Sequence, residues 1–227
     1  MGKEDITVNG KECTLFCANA PAALIVQPAD LEEWVGLENE YRKAAELCGK
    51  DICLAALRIN DWNNELSPWR APAVFGNEGF GDGAETTLGF IEKELLQRLF
   101  EELGKELPVT IAGYSLAGLF SLWAASRSQV FSACAGVSPS VWFPGWREYM
   151  TENRFKCRSV YLSLGKKEER TRNRTMDSVG ENIREMAGML EKAGVTGILE
   201  WNDGDHFREP DLRTAKGIAW CVNRTLK

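Results

Sequence analysis

Apolar positions along this chain form two kinds of pattern: short, mostly apolar runs, and longer stretches in which they recur every three or four residues. The runs at 22–26, 52–59, 109–112, 131–137, 159–164 and 197–201 read as strands buried on both faces of a sheet. Pro28 is expected to end the first of them. Residues 31–48 carry a helical pattern, with Asp30 as the expected N-cap and Gly49 as the C-cap. Residues 86–103 set Leu88, Ile91, Leu95, Leu99 and Leu103 in one apolar stripe. Residues 116–125, 176–192 (closed by Gly194) and 211–222 are further helices, and Pro108 blocks helical continuation into the strand that follows it. The opening is different: residues 6–17 alternate loosely around Asn9-Gly10, which predicts an edge strand or hairpin.

Strands that alternate with helices imply an α/β fold with a mostly parallel central sheet, right-handed crossovers and helices on both faces. No repeat, low-complexity tract or linker divides the chain, so residues 1–227 are expected to form one domain, and that length suffices for one sizeable core. The exception to the regular pattern is NDWNNELSPWRAPAVFGNEGFGDGAE, residues 60–85. A loop of that length in a compact domain is usually functional. The alternative is a surface excursion in which Trp62 and Trp69 pack as local core.

Composition narrows the function classes. A formal net charge of -6 argues against general nucleic-acid binding, which needs a basic field. Seven cysteines without a C-x-x-C pair suit buried thiols in a reducing compartment and give no zinc or disulfide framework. The N-terminal MGKEDITVNGKE lacks an apolar signal core, and no apolar run approaches membrane-spanning length. A cytoplasmic location with no membrane partner is the expectation.

The stretch VTIAGYSLAGL, 109–119, puts Ser115 at a sharp turn from strand to helix. Its Gly113-Tyr114-Ser115-Leu116-Ala117 is one residue from the G-x-S-x-G nucleophile elbow, in which small residues let strand and helix approach closely around a strained serine. Ala117 stands where glycine is usual, and Gly118 follows it. A strict match arises by chance on the order of one time in ten in a chain of this length, so the motif alone decides little. A serine hydroxyl needs a base to act as a nucleophile. The sequence has one histidine, His206, just past the end of the last predicted strand. In a parallel sheet the loops after the strands share one edge, so Ser115 and His206 belong to the same rim. An orienting acid is expected between them in chain order. Glu168, three residues after Gly165, is the choice, with Glu169, Asp177 or a serine-histidine dyad left open. The oxyanion hole is expected to combine the backbone N–H of Leu116 with one near Asp61 or Trp62.

With these residues in view the chain resembles the esterase family of the α/β-hydrolase superfamily that includes enterobactin-type siderophore esterases, feruloyl esterases, S-formylglutathione hydrolase and the antigen 85 mycolyltransferases. The likeness is carried by GYSLAGLFSLW around Ser115, GVSPSVWF at 136–143, LGKKEE at 164–169, GDHF at 204–207 and DWNNELSPW in the long loop. It implies an α/β-hydrolase fold, Ser115 as nucleophile, His206 as general base and acid, and Glu168 as the acid in a G-x-x-E/D position; the short chain departs from the family in leaving little room for a large lid domain. It also implies that Trp142, with Trp62 or Trp69, lines an acyl or alcohol pocket. The expected activity is hydrolysis of a small-molecule carboxylic ester through an acyl-enzyme, with no metal or organic cofactor. An acyltransferase with the same residues, or a silent binding protein on the same fold, are the competing readings. Lys166, Lys167, Arg170, Arg172 and Arg174 give the rim local positive charge, either to draw in an anionic substrate or as a solvated loop. Neither the particular ester nor the oligomeric state is legible.

Overall fold

A computed structural model describes residues 2–74, 76–171, 173 and 175–226. The opening alternation folds as a hairpin of β1 (Gly2–Val8) and β2 (Lys11–Cys17), antiparallel through Asn9 and Gly10 at φ 45° and 85°. Asparagine and glycine are the residues that tolerate this left-handed pair of positions. The predicted runs appear as β3 (Ala23–Ala29), β4 (Ile52–Arg58), β5 (Val109–Tyr114), β6 (Phe131–Val137), β7 (Ser159–Gly165) and β8 (Thr196–Asn202). One eight-stranded sheet results, in the order β1-β2-β4-β3-β5-β6-β7-β8. β1, β2 and β4 pair antiparallel, and β3 to β8 run parallel.

Pro28 does not end β3, contrary to expectation. Leu24 donates its N–H to Pro108 on the β5 side, and with a period of two the position of Pro28 faces the same side. The ladder with β5 stops at Val26 and Ile111, whereas pairing with β4 continues through Pro28 and Leu57. The missing N–H therefore falls where no ladder bond is needed.

The helical stretch at 31–48 is interrupted. α1 (Leu31–Trp34) starts at Asp30, whose carboxylate accepts from the N–H groups of Glu32 and Glu33, and α2 (Leu37–Cys48) ends at Gly49 with φ 64°. The break at Val35-Gly36 separates a turn in which Glu33 and Trp34 are half-buried from a helix that buries Leu37, Tyr41, Ala44 and Cys48. After β4 comes a short α3 (Trp62–Glu65). The long amphipathic stretch is α4 (Ala84–Phe90), a π-helical turn at Ile91–Leu95, and α5 (Leu96–Leu103). Its stripe repeats mostly every four residues, which in a regular helix drifts about 40° per step. The wider π turn absorbs drift, and Leu88, Ile91, Leu95 and Leu99 all stay buried. α6 (Ser115–Arg127), α8 (Val179–Lys192) and α9 (Pro210–Thr225) match the other expected helices, while α7 (Trp146–Glu152) was not anticipated.

Two apolar layers cover the sheet. One packs α2 and α9 on one face, and the other packs α4 to α8 on the opposite face. Residues 116–126 of α6 are all buried, which explains an apolar pattern that runs round the helix. Among the described residues no helix is long and apolar enough to cross a membrane. All seven cysteines are free, Cys17 half-buried and the rest buried.

Candidate active site

The parallel strands deliver their C-terminal ends to one edge, and five of the loops there supply the predicted residues. Ser115 opens α6 directly after β5, with its backbone at φ 55°. Such a left-handed non-glycine residue costs on the order of 1–3 kcal/mol and is held by its surroundings. A Cβ on Gly113 would lie 2.3 Å from the carbonyl oxygen of Ala117 and 2.9 Å from its methyl carbon. A Cβ on Gly118 would lie 3.0 to 3.1 Å from Gly113 O, Val137 O and Pro139 Cα. The two glycines thus give the close approach that the turn demands, and the buried Ala117 methyl fits against Gly113 because that residue has no side chain.

His206 comes from the loop after β8. Its Nε2 lies 3.0 Å from Ser115 Oγ, and its Nδ1 lies 2.7 Å from Glu168 Oε2. An ionised carboxylate only accepts, so this pairing puts the proton on Nδ1 and leaves Nε2 to accept from the serine hydroxyl. The imidazole is also fixed from its own backbone: Tyr114 O–H donates to the carbonyl of His206 at 2.7 Å, and the two rings stand 5.2 Å apart.

Glu168 Oε1 accepts from the Gly165 N–H at 2.7 Å, Ser138 Oγ at 2.8 Å and the Arg213 guanidinium at 3.1 Å. Burial pushes this carboxyl up. The hydrogen bond and charge of His206, with the bonds from Ser138 and Gly165, outweigh that and hold it below the usual carboxylate range. The alternatives left open by the sequence lie elsewhere. Glu169 pairs with Arg184 on α8 at 2.8 Å and 3.1 Å. Asp177 sits in a 3-10 turn ahead of α8, its N–H bonded to Asn173 O.

Leu116 is in the first turn of α6, and Trp62 is the first residue of α3 after the Asp61 cap. Backbone N–H groups in a first helical turn have no acceptor within the helix, which is the chemistry an oxyanion site needs. Trp142 and Trp69 are half-buried members of one aromatic cluster. Trp142 lies against Phe80 at 6.1 Å, while Trp69 stands on Phe143 and Tyr149 and donates its indole N–H to Pro144 O. Of the basic group, Lys166, Lys167 and Arg170 surround a cavity of about 420 Å³ together with Asp203, Gly204 and Arg208, and Lys166 is paired with Asp203 at 2.7 Å. Arg172 and Arg174 lie outside the described residues.

Sequence reasoning missed three groups that hold this constellation: Tyr114, Ser138 and Arg213. Ser138, at φ 42°, leaves β6 with its N–H bonded to Ser163 O. Arg213 is buried in α9, within an otherwise ordinary helical pattern. Tyr114 and Ser138 lay inside quoted motifs and could have been read from their place at strand ends. Arg213 leaves no such trace.

Residues 55–210 match the family described as Putative esterase. A search of curated proteins finds no match to this sequence. Among solved structures, the chain is similar to an IroE-like serine hydrolase from Shewanella oneidensis, with a TM-score of 0.76 and 14% identity over 96% of this chain and 79% of that one. It is likewise similar to the siderophore hydrolase EstA from Aspergillus nidulans, with a TM-score of 0.74 and 17% identity over 98% and 94%. The enterobactin esterase FES from Shigella flexneri aligns with a TM-score of 0.67 and 13% identity over 99% of this chain but 59% of its own length. At these identities the structural likenesses speak for an α/β-hydrolase fold. The match at 55–210 spans well over half of the sequence, and the chain belongs to the Putative esterase family.

Proposed function

We propose that this chain is a serine carboxylic-ester hydrolase, one α/β-hydrolase domain that works through an acyl-enzyme. The observation that carries the reading is His206 placed between Ser115 Oγ and Glu168 Oε2 at 3.0 Å and 2.7 Å. Ser115 attacks the ester carbonyl as Nε2 of His206 takes its proton. The oxyanion that forms is met by the N–H of Leu116 and a second donor at Trp62. His206 then hands the proton to the departing alcohol, and afterwards activates a water that releases the acid. Glu168 holds the imidazole in the Nδ1–H tautomer and stabilises the imidazolium.

The substrate is a small-molecule ester, and siderophore esters are the first class to test, since two of the structural neighbours are a siderophore hydrolase and an enterobactin esterase. The Lys166, Lys167 and Arg170 rim favours an anionic one. Trp142, with Trp62 or Trp69, lines the acyl or alcohol pocket, and the Trp69 and Trp142 rings are joined through Phe143 and Phe80. Seven unpaired thiols fit a cytoplasmic enzyme.

A fluorophosphonate probe tests the reading directly. Wild type is expected to be labelled at Ser115, and Ser115→Ala is not. Absence of labelling in wild type, or equal labelling in the variant, removes the nucleophile from the proposal. Product analysis with a competing alcohol then tells hydrolysis from acyl transfer, as a transferase would give the new ester as its main product.

A further inference from the structure

Arg213 lies in the first turn of α9, and its side chain is 2% exposed. Its Nη1 stands 3.1 Å from Glu168 Oε1, 3.1 Å from the Tyr114 hydroxyl and 3.4 Å from Ser138 Oγ, while Nη2 donates to the carbonyl of Asp203 at 2.9 Å. These four partners come from β5 and from the loops after β6, β7 and β8. Tyr114 passes the contact on, because its O–H donates to the carbonyl of His206. One buried cation therefore ties the loop that carries Glu168 to the loop that carries His206.

The form of the contact separates positioning from simple charge pairing. The strongest arginine–carboxylate arrangement is bidentate, with both oxygens engaged. Here the guanidinium engages Oε1 alone, together with Ser138 and the Gly165 N–H, and Oε2 is left to the imidazole. The carboxylate is thus pinned by one oxygen and presented by the other. Room for this arrangement is made at Gly165, where a Cβ would come 2.9 Å from Glu168 Oε1, 3.1 Å from Arg213 Nη1 and 2.7 Å from Gly204 O.

We infer that Arg213 is a positioning residue of the esterase: through Glu168 Oε1 and the Tyr114 hydroxyl it fixes the imidazole of His206 in tautomer and in place for Ser115. It touches neither the nucleophile nor the reacting carbonyl. The inference rests on the hydrolase reading above, and it adds a cationic tether that a serine, histidine and acid alone do not supply.

The sequence contains a single histidine, so its ring resonances need no assignment. Proton and nitrogen NMR of the wild type at neutral pH is expected to show one tautomer, protonated at Nδ1, with that proton far downfield because it is bonded to a carboxylate. In Arg213→Met this signal is expected to move upfield or vanish by exchange, and kcat to fall about 10–100-fold with little change in KM, the cost of a small misplacement of a catalytic group. Arg213→Lys keeps the charge without the planar fork and is expected to recover part of both readouts. A folded Arg213→Met variant with the wild-type resonance overturns the inference, whether kcat is unchanged or reduced. Should that variant not fold, Tyr114→Phe decides. It removes only the hydroxyl that bridges to the His206 carbonyl, and an unmoved resonance with unchanged kcat overturns the tether. Failure of the hydrolase reading looks different, because wild type itself would then escape the fluorophosphonate label.

Discussion

Gly113 lies so close to the first turn of α6 that a Cβ on it would stand 2.3 Å from the carbonyl oxygen of Ala117, a backbone atom that cannot swing aside. The two residues are the first and last of the elbow, and their packing holds Ser115 at φ 55°. Gly113→Ala is therefore expected to shift the whole turn. The predicted loss is about 1–3 kcal/mol, or roughly 2–4 °C of melting temperature per kcal/mol in a chain of this size. Labelling of Ser115 should fall with it. Ala117→Gly tests the same contact from the other side: it costs about 1 kcal/mol of helix propensity and keeps the label. Melting curves with probe labelling check both, and a Gly113→Ala variant as stable and reactive as wild type would refute the role given to this contact.

That contact also shows what the sequence could and could not tell. The elbow, the lone histidine and the order of strands were legible because each depends on local residue type and on the rule that loops after parallel strands share a rim. Glu168 could be named but not separated from Glu169. The choice turns on which side chain points inward after Gly165, and Arg184 lies on α8 to take the outward one. Pro28 was misread because a strand signal does not say where a ladder stops, and the β3–β5 ladder stops at Val26. Arg213 was invisible for a related reason. Its four partners are brought together only when β5 and three loops meet, and no spacing within α9 encodes that.

Removing His206 leaves Ser115 without a base. His206→Ala is expected to lower kcat by about 10⁴-fold or more while the protein stays folded, because the ring is partly exposed and lies at the sheet edge, against Tyr114. Steady-state hydrolysis of a simple activated ester, together with a thermal melt, measures both halves of this claim. Near-normal rates in the folded variant would end the assignment of general base.

Glu168→Gln tests the acid by a subtler change. The amide can offer an N–H to Nδ1 and so favour the wrong tautomer, with an expected drop in kcat of roughly 10³–10⁴-fold. Stability supplies an independent reading. The folded carboxyl titrates below its ordinary value of 4.5, so its ionised form contributes stability that is present above that pH and lost as pH falls through the lower folded value. Wild type should therefore lose stability on acidification below about pH 4.5 more steeply than Glu168→Gln does. Parallel melts across that range would count against the buried, ionised acid.

Where α2 packs on α9, a second buried carboxyl has the reverse sign. Glu40 in α2 is 6% exposed, and burial pushes its pKa well up, aided by the charges of Glu33 and Asp211, while Gln27 and Thr214 offset part of the rise. Burial likewise raises Glu33 to about 8. Asp211 instead is held low and ionised by Lys43 at 2.8 Å and Asn39 at 2.5 Å. An acid whose folded pKa is raised contributes stability that is full below the unfolded value and lost as pH climbs through the folded one. Denaturant melts of wild type are thus expected to weaken from about pH 5 toward pH 8. Glu40→Gln keeps the shape, removes the titration and can donate to Gln27 Oε1, which is buried without a partner among the described residues. It should match wild type near pH 5 and exceed it at pH 8. Equal pH slopes in the two proteins would show that Glu40 is ionised in the fold after all.

The basic rim makes a kinetic prediction distinct from all of these. Lys166, Lys167, Arg170 and Arg208, with Asp203 paired to Lys166, surround a cavity of about 420 Å³ beside the His206 loop, in a chain whose net charge is -6. A local field of that kind raises the encounter rate of an anion and is screened over about 10 Å at 0.1 M salt. For matched ester pairs, kcat/KM of the anionic member is expected to fall several-fold between low salt and 0.5 M, while the neutral member stays nearly constant. Lys167→Glu with Arg170→Glu should flatten the anionic response and leave the neutral ester unchanged, because the side-chain bonds of Ser115, His206 and Glu168 run to one another and to Ser138, Gly165 and Arg213. Equal salt responses for both esters would reduce the rim to a solvated loop and leave the choice of substrate to the aromatic wall around Trp142.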